Sequence, residues 1–444
     1  MGTIPTPVFQ GQSQFASDFQ QVLTRAVNIA SLPMQQMQND LTTFTNQQNA
    51  LGGLSANFAA LQTALQGIES AATSVTTTSS DSTAVSASAT SSALPGTYSV
   101  QVTTLGSYTT TISSAGTPSV TDPTSGNISS GASFTLTTNG TAHTITPTGT
   151  SLNSLASAIN GAGLGAQATV VNVGSTSSPD YRLSVTSTNL ARDTMQLNDG
   201  SKNLLTTLST GAATSYTVNG VSTTSSSSQV ILAPGLTVSL LQQTASPVTI
   251  TVAPNTAALS TALSGFASAY NAAVDALGQQ HGQNAGALAG QSTILTLGQA
   301  LSSINQYASP GSNPLSLASV GLNLDKTGHF SFDPSALNNL SPSAVQQFFG
   351  SLTSGGFLQA ANTTLTAITD PNTGIIQSSL ATLQTDITNQ NSLIAEQQDQ
   401  ITQMENALQQ RLSQADAALA TLEAQNSFFT SVLSTTNANN FVGH

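Results

Sequence analysis

From Ile376 to Val432 a stripe of mostly apolar positions recurs at a strict 4-3-4-3 spacing: Ile376, Leu380, Leu383, Ile387, Gln390, Ile394, Gln397, Ile401, Met404, Leu408, Arg411, Ala415, Ala418, Leu422, Gln425, Phe429 and Val432. A repeat averaging 3.5 residues is the period of a supercoiled helix that keeps one edge against a partner. At 1.5 Å per residue the stripe predicts a helix of roughly 85 Å, too long to be the core of a compact domain. A second stripe begins after Leu408, running Leu412, Ala415, Leu419, Leu422, Phe429 and Leu433. It is displaced by four residues, a stutter that relaxes the supercoil. Arg411 marks the change of register, and its side chain is expected to snorkel into water.

The opposite end of the chain carries a matching pattern. Met37, Leu41, Phe44, Gln48 and Leu51 repeat at 4-3-4-3, and Leu54, Phe58, Leu61, Leu65 and Ile68 do so again after a jump of three beside Gly52 and Gly53. Such a jump is a stammer, a local overwinding. Pro33 suits the first turn of a helix with Ser31 as its cap, and Phe15, Phe19, Val22, Ala26 and Ile29 predict a shorter amphipathic helix upstream. If helical, residues 14–69 span about 84 Å, so the two ends are predicted to lie side by side as one stalk. The seam expected to carry subunit association and docking comprises Ile387, Ile394, Ile401, Met404, Leu408, Leu412, Leu419, Leu422, Phe429 and Leu433, with Leu41, Phe44, Leu61 and Leu65 from the other end.

Between the seams, residues 71–255 alternate Thr, Val and Ser with Gly or Pro at the breaks, the period of half-buried strands. Strands are predicted at Thr97–Thr103, Ser133–Thr138, Ala168–Val173, Arg182–Thr186, Ser215–Val218, Gly235–Leu241 and Val248–Val252, with one short helix at Leu152–Asn160. Helical spacing returns at Leu259–Leu277 and Ile294–Ile304. A hairpin follows at Asp325–Phe332, then helices near Val345–Phe349 and Phe357–Ile368. The fold class is therefore α+β: an elongated helical stalk made by both chain ends, with antiparallel β-rich head modules inserted. The expected division is 1–35 with 412–444 as terminal helical segments that dock and are partly disordered alone, and 36–75 with 256–411 as the stalk. Residues 76–95 with 178–255 form one head module, and 96–177 a second.

Composition narrows the function. Only 5% of residues are charged and the net charge is −12 with a pI near 4.2. No Lys or Arg occurs between Arg25 and Arg182, so no basic patch exists to neutralise nucleic-acid phosphates or anionic lipid. The absence of cysteine excludes disulfides, thiolate metal sites and thiol nucleophiles. Met1–Ala30 lacks the basic start and apolar run of a secretory signal, and no membrane span is expected. The Ser, Thr, Asn and Gln bias resembles proteins that work outside the cell, which points to a dedicated secretion channel.

Candidate chemistry is sparse. Gly161, Gly163 and Gly165 follow a helix and precede a strand, the reverse of a phosphate-binding fingerprint, so they read as a helix end with Gly161 as left-handed cap. Asp325, Thr327 and His329 are spaced like a calcium loop but lack its Gly and its bidentate Glu, leaving a hairpin turn around Lys326-Thr327-Gly328. His143, His281, His329 and His444 show no zinc spacing, and Asp180, Asp193 and Asp199 read as solvated loop residues. No enzyme activity, metal or cofactor is expected.

Five segments in order resemble the flagellar filament cap family, hook-associated protein 2. They are Leu94-Pro95-Gly96-Thr97-Tyr98-Ser99-Val100-Gln101-Val102 with Leu105; Ser151–Asn160 with Ala168-Thr169-Val170 and Tyr181-Arg182-Leu183, a module shared with flagellins; Tyr216–Val221 with Pro234–Thr237 and Phe266 to Asn271; Gly286–Gly290 with Leu317–Gly321, Gly328 and Asp333; and the glutamine-rich helix with Leu408, Arg411 and Leu412. The family's glycine-rich opening is reduced here to Gly11-Gln12-Ser13 and Ala16-Ser17-Asp18, and the tail Ser434–His444 is polar and loose. The resemblance implies a ring of identical subunits at the filament tip that retains exported flagellin and promotes its polymerisation. It further implies docking to hook-filament junction proteins, an export chaperone before secretion, and export by the flagellar type III route without a cleaved signal. The alternatives are a flagellin-like structural subunit and an adhesin that binds surface glycans.

Overall fold

Fifty-seven residues, Ala16–Ala72, form one helix, α1. Pro33 lies inside it rather than at a start, and Ser31 does not cap: its Oγ donates to the Asn28 carbonyl at 2.8 Å. The expected break fails because Leu23, Val27 and Met34 make one continuous buried row across the proline, and packing outweighs the one backbone hydrogen bond that proline removes. The register jump at Gly52 and Gly53 is likewise absorbed without a break, Leu51, Leu54, Phe58, Leu61, Leu65 and Ile68 all being buried. This computed structural model describes residues 7–114, 117–282 and 285–441, with side chains to 435, so His444 lies outside the described residues.

After α1 come β1 (Val75–Ser79), β2 (Val85–Ala89), β3 (Gly96–Thr104), β4 (Thr110–Ser113), β5 (Phe134–Thr138) and β6 (Thr141–Ile145), then helix α2 (Leu152–Ala162). Next are β7 (Ala166–Asn172), β8 (Tyr181–Ser187), β9 (Met195–Asn198), β10 (Leu205–Ser209), β11 (Thr214–Val218), β12 (Val221–Ser225), β13 (Gln229–Ala233), β14 (Leu236–Leu240) and β15 (Val248–Pro254). The chain then returns to helix in α3 (Thr256–Gly278) and α4 (Ser292–Asn305), makes the hairpin β16 (Leu322–Leu324) and β17 (Phe330–Phe332), and ends in α5 (Pro342–Phe349), α6 (Gly356–Thr369) and α7 (Ile375–Phe441). The polar tail read as loose continues α7 as far as Phe441.

Two compact units result: residues up to Glu69 with those from Ser260 onward, and Ser70–Leu259. In the second unit β3 is a central strand of the sheet β1-β15-β3-β11-β12, which packs on the sheet β13-β14-β2 around Val85, Val100, Val102, Leu236, Val238 and Ile250. A separate core forms from β10-β4-β8-β7, β6-β5-β9 and α2, around Phe134, Leu136, Leu152, Leu155, Ile159, Leu183, Val185 and Leu197. The module boundaries drawn from sequence at 96–177 and 178–255 are therefore corrected. Strand β3 belongs to the outer module, and β8, β9 and β10 to the inner one, because strand pairing follows sheets rather than stretches of sequence. The inner module begins and ends at one point, where Ser107 and Ala212 exchange two backbone hydrogen bonds of 2.9 and 3.0 Å. There Gly106 and Gly211 allow the strands to approach. A Cβ on Gly211 would lie 2.6 Å from both the Ser107 carbonyl oxygen and the Thr109 nitrogen.

Sequence patterning found seven of the strands and missed the edges β1, β2, β6, β9, β10, β12 and β13 and the interior strand β4; β10 and β12 are Ser- and Thr-rich and bury almost nothing, while β4 and β9 are only four residues long. Helix α2 is capped at Ser151, whose Oγ accepts from the Ser154 nitrogen at 3.2 Å, and ends at Gly163 with φ 62°, two residues beyond the predicted cap Gly161. Asn160 ties the helix to β7, donating to the Ala168 carbonyl at 2.8 Å and accepting from the Ala168 nitrogen at 2.7 Å.

In the helical unit an aromatic core joins α3, α5, α6 and the β16–β17 hairpin. Phe266 meets Phe357 edge-on at 5.6 Å, Tyr270 meets Phe330 at 4.4 Å and Phe348 stacks on Phe357 at 6.1 Å. The buried Tyr270 hydroxyl donates to the Leu301 carbonyl and accepts from Asn305, so its polar end is satisfied.

Candidate docking and association surface

Helices α1 and α7 run antiparallel, as their bridging side chains show: Gln48 donates to Gln384 at 2.8 Å and Gln390 to the Met37 carbonyl at 3.0 Å. Beyond these, an apolar cluster of Leu23, Val27, Met34 and Ile401 is joined by Phe19, Ile394, Met404, Leu408 and Leu412. Five of the predicted seam residues, Ile394, Ile401, Met404, Leu408 and Leu412, thus meet α1 within the chain, and only Ile401 is fully buried. Phe44 and Leu383 line one recess beside Leu288 of the α3–α4 connection, while Leu41 and Ile387 are half-buried on the same helices.

Two predicted seam residues belong elsewhere. Leu61 and Leu65 are 0% exposed. Their stretch of α1 packs on α6, with Gln62 hydrogen-bonded to Thr369 at 2.8 Å and Glu69 to the Leu352 nitrogen at 2.9 Å. They are interior residues of the helical unit, since α7 begins only at Ile375 and runs alongside the earlier turns of α1. The upstream stripe is also corrected: Phe15, Val22 and Ile29 point outward, and the row facing α7 is Phe19, Leu23, Val27 and Met34.

The feature that sequence reading missed is a strap, residues 7–13, folded over the α1–α7 pair. Asp416 of α7 anchors it, its carboxylate accepting from the Gln12 nitrogen at 2.5 Å, the Ser13 nitrogen at 3.2 Å and the Ser13 hydroxyl at 2.5 Å. These bonds, the Ser13 hydroxyl foremost, hold the Asp416 carboxyl below its ordinary value. Gln20 grips the strap from α1, accepting from the Phe9 nitrogen and donating to the Pro7 carbonyl, and Gln409 donates to the Val8 carbonyl from α7. Phe9 enters the apolar cluster edge-on to Phe19 at 5.8 Å. Gly11 is required at its place: a Cβ there would sit 2.5 Å from Asp416 Oδ1 and 2.7 Å from the Phe9 ring. A signal existed in the sequence. Asp416 stands four residues after Leu412 and three before Leu419, a carboxylate within an apolar stripe.

Past Glu423, α7 is uncovered among the described residues. Leu419 is half-buried and Leu422, Phe429 and Leu433 are exposed. Arg411 is exposed, as snorkelling requires. Several other charged residues serve local structure. Asp180, read as a solvated loop residue, instead pairs with Arg182 at 2.7 Å and is well shielded. Asp193 accepts from Asn139, and Asp199 organises a turn with Ser201 and Lys202, which holds its carboxyl far below the ordinary value. Asp325 accepts from Thr327 and His329 in the β16–β17 turn, and His329 reaches Asp275 at 2.9 Å. Among the described residues no group of three or more His, Asp or Glu is placed to hold a metal ion, and no helix is long and apolar enough to cross a membrane.

The helix pair with inserted β modules is a known arrangement. The flagellar cap protein FliD of Escherichia coli, in its D1-D2-D3 form, is 26% identical and superposes with a TM-score of 0.63 over 76% of this chain and 99% of that one. The D2-D3 form from Escherichia coli is 26% identical over 40% of this chain and 98% of that one, with a TM-score of 0.32. FliD (HAP2) of Pseudomonas aeruginosa PAO1 is 22% identical over 43% and 93%, with a TM-score of 0.33. A comparison with curated proteins finds no match. Two family models match the sequence, the flagellar hook-associated protein 2 N-terminus over residues 16–109 and its C-terminus over 211–424, so that both helical ends and the outer β module are covered. The chain belongs to the flagellar hook-associated protein 2 family, the caps of the flagellar filament.

Proposed function

We propose that this protein caps the flagellar filament as a ring-like homo-oligomer that retains exported flagellin at the tip and promotes its polymerisation. The observation that carries this reading is the joint match of both helical ends to the hook-associated protein 2 models, with the fold shared at TM-score 0.63 with a flagellar cap protein. The physical arrangement supports it. An α7 that extends beyond its intrachain partner and carries exposed Leu422, Phe429 and Leu433 needs a neighbour, and a filament end supplies neighbours. The docking partners on this reading are sister subunits, flagellin and the hook-filament junction proteins. The chain reaches the tip by the flagellar type III route, without a cleaved signal and with an export chaperone beforehand. The role is structural rather than catalytic.

A strain whose only copy ends after Leu408 tests the reading. That chain loses Asp416 and every exposed apolar residue of the α7 overhang. It is expected to be non-motile and to shed unpolymerised flagellin into the medium. Normal filaments in that strain would overturn the reading. The flagellin-like alternative has less support, since the matching models are those of the hook-associated protein at both ends.

A further inference from the structure

Two apolar surfaces of the helical unit are left uncovered among the described residues. On α1, Phe15, Val22 and Ile29 follow at heptad spacing and are 39%, 52% and 62% exposed. They lie roughly a third of a turn around the helix from the buried row of Leu23, Val27 and Met34. On α7, Glu423 lies beside Gln14, at the start of α1, and every described side chain from Ala424 to Thr435 is exposed. A helix with two seams takes two neighbours.

We propose that the α7 overhang of one copy packs antiparallel on the Phe15–Ile29 face of α1 in the next copy. This rests on the oligomeric cap reading above and names its surface. The spacings agree. Read forward, α1 presents the outward-facing Phe15, Val22 and Ile29 at intervals of seven; read backward, α7 presents Leu433, Asn426 and Leu419 at intervals of seven, with the exposed Phe429 and Leu422 between them. Laid antiparallel, the rungs run from Phe15 on Leu433 to Ile29 on Leu419, with one polar rung at Asn426, the kind of position that sets register. Charge agrees in the same alignment, which brings Arg25 opposite Glu423. Arg25 is the sole basic residue of α1 and makes no ion pair among the described residues, and α7 has no basic residue after Arg411. Glu423 Oε1 is buried and has no hydrogen-bond partner among the described residues. The pairing cannot form within one chain: with Glu423 at Gln14, Val22 and Asn426 are offset by about eleven residues of helix, roughly 16 Å. The contact is heterologous, one surface of each copy meeting the other surface of the next, which is the geometry that closes rings.

The chain has no cysteine, so single cysteines report cleanly. A Val22→Cys chain mixed with a differently tagged Asn426→Cys chain should give a cross-chain disulfide on mild oxidation. Arg25→Glu and Glu423→Arg should each weaken self-association roughly three- to tenfold by light scattering, and the double variant should recover it. Val22→Asp with Ile29→Asp should abolish it, circular dichroism reporting that the helices persist. Absence of the disulfide, a double swap no better than either single change, or full association of the aspartate variant would each overturn the proposal. So would unchanged self-association accompanied by lost binding to a hook-filament junction protein, because the face would then serve that partner. Normal filaments in a strain expressing Val22→Asp with Ile29→Asp refute this surface alone, whereas normal filaments without the chain refute the cap reading.

Discussion

Asp416 shows what one side chain does in a chain with so few charges. Asp416 is 4% exposed and its carboxylate gathers the donors of Gln12 and Ser13, so this anchor of the strap is strongest while the group is ionised. The folded-state value lies below 3.8, the ordinary one, so the bonds add stability above the unfolded value and lose it as pH falls through the folded one. Acidification below 3.8 is thus expected to release the strap, read as movement of the Ser13 amide resonance toward its free-chain position. Ser13→Ala removes the largest cause of the shift and should raise the pH of release. Gly11→Ala should loosen the strap at neutral pH by driving a methyl group into Asp416 and Phe9, visible as faster amide exchange at residues 8–13. An Asp in an apolar stripe was legible in the sequence; its partner was not, because Ser13 lies 403 residues away and a polar pair leaves no periodicity.

At the scale of elements, what could be read was what packs against something apolar. The α1 stripe, α2 and the strands β3, β8, β14 and β15 bury alternate or helically spaced positions, and the α7 stripe lies against α1 over Ile394 to Leu412. The edges were missed because β12 and most of β10 bury almost nothing, and their Ser and Thr side chains satisfy turns and strands alike. Pro33 misled for the opposite reason. A local rule predicted a helix start where tertiary packing imposed continuity. Pro33→Ala restores one helical hydrogen bond and is expected to stabilise the helical unit by on the order of 1–2 kcal/mol, less than the full cost of an interior proline because the unfolded chain gains freedom. A raised midpoint in thermal unfolding followed at 222 nm would be the sign, and a lowered one would show that the proline is placed to suit a bend. By contrast Phe58→Ala, at a fully buried ring, should cost about 3–5 kcal/mol in chemical denaturation.

At the scale of the molecule, the order helix, β-rich insertion, helices, long helix was visible in the chain, while the nesting of one β module within the other was not. Sheet partners set that nesting. Strand β3 pairs with β11 and β15, more than a hundred residues onward, and only then does Ser107 face Ala212. Removing 108–211 and joining the cut ends through a two-glycine turn is therefore expected to leave β3, β11 and the outer core folded, with a cooperative melt. Removing 96–177 should destroy that core by deleting its central strand. The central claim, that this family member sits at the end of the filament, is tested most directly by attaching an epitope in the exposed β11–β12 turn at Gly220 and locating it by immunogold electron microscopy on intact cells. The account predicts gold at the distal tip of each filament and none along the shaft. Gold distributed along the shaft, or filaments of normal length with no gold at the tip, would contradict it.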